Sequence, residues 1–238
     1  MKIRLTGLVA MALASFVGSG NAASIPGQGT WETTLQARDL DGSVANGPEA
    51  FYDSALHITW LRLGTTNTIS WATAKDWAEQ NRFGLGGWRL PTTIDKGLPG
   101  CDWALTGGTD CGYNPDSSVS TGSEMAHLFF ETLGNKSMYV PGTINFQSGF
   151  GPSNTGGFQN LRPDGYWSGS VYETASNQAW SFSVDRGVQG PSSFNLSMSA
   201  LAVRDGDVIS SVPESQTYAL LLVGLGLIAG VAHRRNHQ

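Results

Sequence analysis

Histidine, carboxylate, arginine and cysteine are where this chain could do chemistry, and their spacing limits what that chemistry can be. Of four histidines in 238 residues, only His57 and His127 lie outside the terminal segments. His57 stands in an apolar, β-branched stretch, and His127 lies on a helical face beside Met125 and Leu128, so both read as structural histidines rather than general bases. Serine is abundant, yet no Gly-x-Ser-x-Gly elbow singles one out as a nucleophile. Glu124 and Glu131 share one helical face and read as its solvated edge. No catalytic signature is present, so the chain is expected not to be an enzyme. An uncharacterised hydrolase built on two facing carboxylates is the alternative.

Oxygen-rich loops are the other chemical feature. Asp110, Asn114 and Asp116 offer hard ligands for calcium, as do the pairs Asp39/Asp41 and Asp205/Asp207. Calcium takes about six to eight oxygens in irregular loops, but none of these clusters has EF-hand spacing or its distal glutamate. A structural calcium at Asp110, Asn114 and Asp116 is the one cofactor considered, and none is otherwise expected. Arg89 and Arg204 are embedded in apolar strands and need carboxylates or backbone carbonyls, with Asp53, Asp185 and Asp205 as candidates. Cys101 and Cys111, the two cysteines, flank nine residues of a Gly/Asp-rich stretch. They are not spaced as C-x-x-C. In an oxidising compartment they would pair and staple that loop, worth about 2–3 kcal/mol on a chain-entropy estimate.

The elements that must position these groups follow from the apolar pattern. Strands are expected at 51–53 and 56–63, the second carrying Ile58 and Trp60. Ser70 caps a helix over about 71–81 that Gly84 stops, with Ala74, Trp77 and Ala78 on one face. A second helix is expected from about Ser123 to Gly134, its apolar side formed by Met125, Leu128, Phe129 and Leu133. Between them, "GWRLP" is a strand with Trp88 and Leu90 on one side and Arg89 on the other, ended by Pro91. Strands at 166–168, 178–185 and 200–204 close the domain. All eight tryptophans fall between Trp31 and Trp180. They read first as core, although the same aromatics can stack on sugar rings.

The termini read as addresses. Lys2 and Arg4, an apolar run over 5–17 and small residues at 20–23 form a signal peptide over 1–23. At the other end, residues 208–216 form a linker with Val212, Pro213 and Glu214. Residues 217–238 carry an apolar run of about fifteen residues, short of the roughly 20 of a spanning helix, and then Arg234 and Arg235. The body over 24–211 holds 10 Lys+Arg against 18 Asp+Glu, a net charge near −8. Such a surface repels phosphate backbones, so nucleic acid is excluded as a partner.

The tail resembles the PEP-CTERM sorting signal of Gram-negative bacteria, with Ser215 where that family usually has a second proline. The resemblance implies signal peptidase and an exosortase as partners. It also implies tethering in the inner membrane during sorting, then release to the cell surface or a biofilm matrix. Within 24–207, the blocks "YDSALHITWLRLG", "GWRLPT", "GSEMAHLFFETLG", "YWSGSVY", "AWSFSVDRG" and "ALAVRDGD" follow one another and resemble the Lcl C-terminal domain family. That likeness implies an α+β fold similar to C-type lectins and formylglycine-generating enzymes, with two helices packed on short twisted antiparallel sheets and long loops. The expected function is an exported binding protein for exopolysaccharide or another glycan; a structural, adhesive matrix protein without a small ligand is the alternative. Deleting residues 218–238 is expected to release or misplace the protein, as read by fractionation and immunoblotting. Retention of an intact C-terminus in the inner membrane would make the tail a plain anchor.

Overall fold

The computed structural model describes residues 24–95 and 105–208. Along the chain these form α1 (Trp31–Thr34), β1 (Leu35–Arg38), β2 (Ala50–Asp53), β3 (Ile58–Leu61), α2 (Trp71–Ala78), β4 (Trp88–Arg89), β5 (Gly112–Tyr113), α3 (Glu124–His127), β6 (Gly165–Val171), β7 (Gln178–Ser183), β8 (Val188–Ser193) and β9 (Val203–Asp205). The architecture is α+β, with two antiparallel sheets and few, short helices. One sheet has the order β1-β2-β3-β9-β4 and the other β5-β8-β7-β6. Among the described residues, no helix is long and apolar enough to cross a membrane. The signal-peptide and sorting segments, with Val212, Pro213, Glu214, Arg234 and Arg235, lie outside those residues.

Local chemistry explains where the elements begin and end. Asp53 is buried and accepts from the backbone N–H groups of Ala55 and Leu56 at 3.0 and 3.3 Å, folding residues 54–57 into a turn. His57 completes that turn with φ +56, so it does not lie in a strand as its apolar neighbours suggested. Histidine is among the residues that tolerate this left-handed backbone. The strand starts one residue later, at Ile58.

Ser70 accepts from Thr73 N and caps α2, as its sequence implied. The helix ends at Ala78, earlier than the spacing suggested, and the Arg82 side chain folds back to satisfy the carbonyls of Trp77, Ala78 and Gln80. Ser123 likewise caps α3 through Ala126 N at 3.2 Å. The helix widens into a π turn over Leu128–Thr132, closed by Leu133 N to Leu128 O at 2.9 Å.

Two strands carry little sequence signal. β8 contains Gly190 and Pro191, both poor in strand interiors. Proline is tolerated there because β5 pairs only with Val188 and Gln189, leaving Pro191 an open side. β1 lies at the edge of its sheet, and its Gln36 and Ala37 are exposed.

The apolar residues bury in two groups. Phe51, Trp60, Phe129, Leu133, Phe158, Tyr166, Phe182 and Leu201 form one, and Ala74, Ala78, Trp88, Leu90 and Trp167 belong to the other. Phe158 sits edge-on to Phe51 and Trp60, with centroids 5.2 and 6.3 Å away. Trp60, Trp88, Trp167 and Trp180 are all buried, so these four serve packing.

Arg89 joins the five-stranded sheet to α3. Its Nη1 and Nη2 each donate to Glu124 at 2.8 Å, and its Nε donates to Asp205 at 3.2 Å. Glu124 also accepts from Thr92 N at 2.7 Å, while its own N–H meets Thr92 O at 3.1 Å. Glu124 is therefore half of a partly buried ion pair and not a solvated edge. Burial works against the charge on Arg89, but its hydrogen bonds and attraction to Glu124 and then Asp205 outweigh that, and its pKa is raised.

Truncating either Arg89 or Glu124 to alanine is expected to cost about 1.5–3 kcal/mol in urea unfolding, and the double variant less than the sum of the two. Additive losses would show that the pair does not act as a unit. Tyr166 offers a second check. It is fully buried and donates to Asn160 O at 2.9 Å, and burial pushes its phenol from 10.0 up to about 12. Between these values the unfolded chain ionises while the folded chain stays protonated, so stability falls as pH rises. The loss approaches about 2–3 kcal/mol by pH 12. Denaturant melts across that range should show this slope for the native chain and a flatter one for Tyr166→Phe.

Candidate functional site

The residues singled out from sequence do not converge on one centre. Cys111 is fully buried and carries no free thiol, while its expected partner Cys101 lies outside the described residues. Asp110 is buried, and its backbone carbonyl accepts from Gln189 Nε2. Asn114 has φ +55 and donates to Tyr139 O at 3.2 Å. Asp116 accepts from Ser118 N at 2.9 Å and Thr121 Oγ1 at 2.6 Å. Of these three side chains, Asp116 is the one whose carboxylate is shown to shape its own loop. His127 is buried with Nδ1 2.8 Å from Ser117 O, and His57 Nδ1 lies 3.1 Å from the Tyr52 hydroxyl.

The two remaining aspartate pairs separate in role. Asp205 belongs to Arg89, and Asp207 accepts from Arg38 Nε and Nη2 at 2.7 and 2.8 Å. The Arg38 hydrogen bond, opposed only in part by burial, holds the Asp207 carboxyl below its usual range. Asp39 and Asp41 instead meet Glu49, the three offering oxygens within 4.8 Å of one another. Each already accepts from a loop N–H: Gly42 on Asp39, Ser43 on Asp41 and Leu40 on Glu49. These three are the residues whose geometry could share a cation among those described. Arg204, the other embedded arginine, donates to Gly86 O at 2.8 Å, a carbonyl as anticipated.

The arrangement best suited to a ligand is one that sequence reading missed. On the sheet β5-β8-β7-β6, side chains alternate between two faces, and β7 is buried from Ala179 to Phe182 with Ser183 half-buried at its end. Trp180 and Phe182 point inward and are buried. Ser181 and Ser183 alternate with them and stand opposite Gly190 and Val188. Glycine and serine floors leave a trough of about 420 Å³, bordered by Tyr113, Asp164, Asp185, Arg186, Ser192 and Met198. That volume falls within the roughly 300–1,000 Å³ of ordinary ligand sites.

The trough is lined with hydrogen-bonding groups held in place. Ser181 Oγ lies 2.9 Å from Ser192 Oγ and donates to Gly190 O at 3.1 Å. Asp164 accepts from Gly165 N at 2.8 Å and from Ser199 Oγ at 2.9 Å. Asp185 accepts from Ser183 Oγ and pairs with Arg186 Nε at 3.2 Å. Both carboxylates are thereby oriented as acceptors, each with capacity left for a further donor.

An aromatic strip runs out from one border. Tyr113 meets Tyr139 edge-on at 4.6 Å, and Tyr139 meets Phe146 at 5.1 Å and 35°. Phe146 is 67% exposed and Ile144 is 77% exposed. These residues sit in a stretch, 137–161, without a single charged residue. That is the signal available in sequence: aromatics among Gly, Ser and Asn in a chain otherwise rich in acids. No protein-family model, curated protein or solved structure matches the chain.

Proposed function

We propose that this chain is an exported binding module for a glycan, held at the cell surface or in an extracellular matrix after sorting. The observation that carries the reading is the serine-floored trough continuing into Tyr113, Tyr139 and Phe146. A pyranose offers hydroxyls at its rim and a C–H face, and this surface offers hydroxyl, carboxylate and guanidinium groups beside aromatic rings. The likeness of six sequence blocks to the Lcl C-terminal domain, and through it to C-type-lectin-like folds, supports the same reading as an analogy of fold. The tail's likeness to PEP-CTERM signals supports export, with signal peptidase and an exosortase acting in turn.

One observation favours a structural, adhesive role instead. Ile144, Phe146 and Phe150 expose apolar surface together on one uncharged stretch, as protein contact sites do. The hydrolase reading has Asp164 and Asp185 alone to draw on, and both already serve the trough as oriented acceptors.

The purified chain on a glycan array that includes the producing strain's own polysaccharide, with and without calcium, tests the proposal. Binding is expected, and Tyr113→Ala and Phe146→Ala should each weaken it roughly two- to tenfold. Retention of no glycan under either condition would leave the adhesive reading in its place.

A further inference from the structure

A second concavity, about 460 Å³, shares no lining residue with the serine trough and has a different chemistry. Its lining includes Glu49, Arg62, Leu63, Arg82, Phe83 and Gln159. Both arginines contact neutral groups. Arg62 donates to the carbonyls of Asn46, Pro48 and Gly157 at 3.4, 3.0 and 3.3 Å. Arg82 donates to three carbonyls at the end of α2 and lies 4.7 Å over the Trp77 ring. Among the described residues neither forms an ion pair. That is notable in a body with 18 acids against 10 bases. Burial lowers the pKa of Arg82, and a carboxylate brought to it would supply the charge partner that its carbonyl acceptors do not.

The opposite charge stands on the same cavity. Glu49 lines it, and Asp39 and Asp41 hold carboxylate oxygens within 4.8 Å of Glu49's. A plain anion would meet this acidic side, and a plain cation would meet the two guanidinium groups.

The apolar part of the lining is held at a cost. Arg82 and Leu85 exchange both backbone hydrogen bonds, at 3.1 and 2.8 Å, across a two-residue turn. Phe83 and Gly84, the central residues, have φ +55 and +75. Such type I′ turns favour Asn-Gly, and a bulky residue with positive φ is strained. The phenylalanine in that place is 45% exposed, next to a Leu63 that is 46% exposed. Neither strain nor exposure helps the fold, and both present an aromatic ring to the cavity.

The geometry points to a binding site for a small zwitterion with an apolar body, an apolar amino acid free or as a dipeptide. Its carboxylate meets Arg62 and Arg82, its ammonium group meets Glu49, and its side chain lies on Phe83 and Leu63. This site is separate from the glycan trough and does not depend on it.

Titration calorimetry of the full-length chain with L-phenylalanine, L-leucine and their dipeptides tests this, with 3-phenylpropionate and phenethylamine as single-charge probes. Saturable binding of a zwitterion is expected, at least about tenfold tighter than either single-charge probe. Glu49→Gln should weaken the zwitterion by a similar factor without weakening 3-phenylpropionate. Phe83→Asn should lose zwitterion binding while the thermal midpoint stays level or rises, because asparagine suits the turn. Glycan binding should not change in either variant. No saturable zwitterion binding, equal binding of 3-phenylpropionate, or undiminished binding by Phe83→Asn would each overturn the assignment.

Discussion

Two carboxylates share the guanidinium of Arg89, and the rest of the structure is arranged around that sharing. Glu124 brings the first turn of α3, and Asp205 brings the end of β9. A negative residue there also suits the positive end of the helix. One residue earlier, Ser123 donates to Gln189 on β8, and Gln189 donates in turn to Asp110 O. The start of α3 is thus bonded to both sheets at once. Without the ion pair, an arginine, a glutamate and a helix terminus would each be left partly buried and poorly solvated, which is costlier than never having buried them. Gln189 borders the serine trough, so the wall of the candidate site is anchored through α3 to the opposite sheet.

The segment after β4 closes the same junction from the other side. Pro91 O accepts from Ser168 Oγ at 2.9 Å and from Gly169 N at 2.8 Å. Thr93 and Ser170 exchange a further pair of hydrogen bonds, at 3.0 and 2.8 Å. Small residues at 168–170 let that backbone come close. The four-stranded sheet is held along β6 and packed below by Trp180 and Phe182, which leaves its other face free to be concave. A rigid floor with oriented hydroxyls loses little freedom when a ligand binds, which is the advantage of building such a site on strands rather than loops.

Features set by neighbours in sequence were legible; those set by register were not. The Ser70 cap, the start of α3 near Ser123 and the shared side of Trp88 and Leu90 follow from short-range rules. Arg89 plainly needed acids, and Asp205 was named for it. Glu124 escaped because a helix-face argument treats each helix as isolated, whereas the strand that contacts it lies 35 residues away. His57 was misplaced because apolar neighbours outweighed the turn that Asp53 imposes. The trough depends on the pairing of β7 with β8, and β8 is hidden by its glycine and proline. Glu49 joins Asp39 and Asp41 only when β1 and β2 pair, with Glu49 N meeting Arg38 O at 3.1 Å.

The strand order has a consequence for how the molecule is made. β9, at residues 203–205, lies between β3 and β4, and Thr59 donates to Gly206 O across 147 positions. Until β9 is in place, β1, β2 and β3 can form a meander, but the flank of β3 stays open and β4 has no neighbour. Contacts of such long separation form slowly. An interrupted product that stops before residue 203 lacks the strand that joins the two parts of its first sheet, and keeps an exposed edge that attracts other chains. The first sheet is therefore closed only by the last strand described, and a fragment without it carries a gap that proteases and chaperones can recognise.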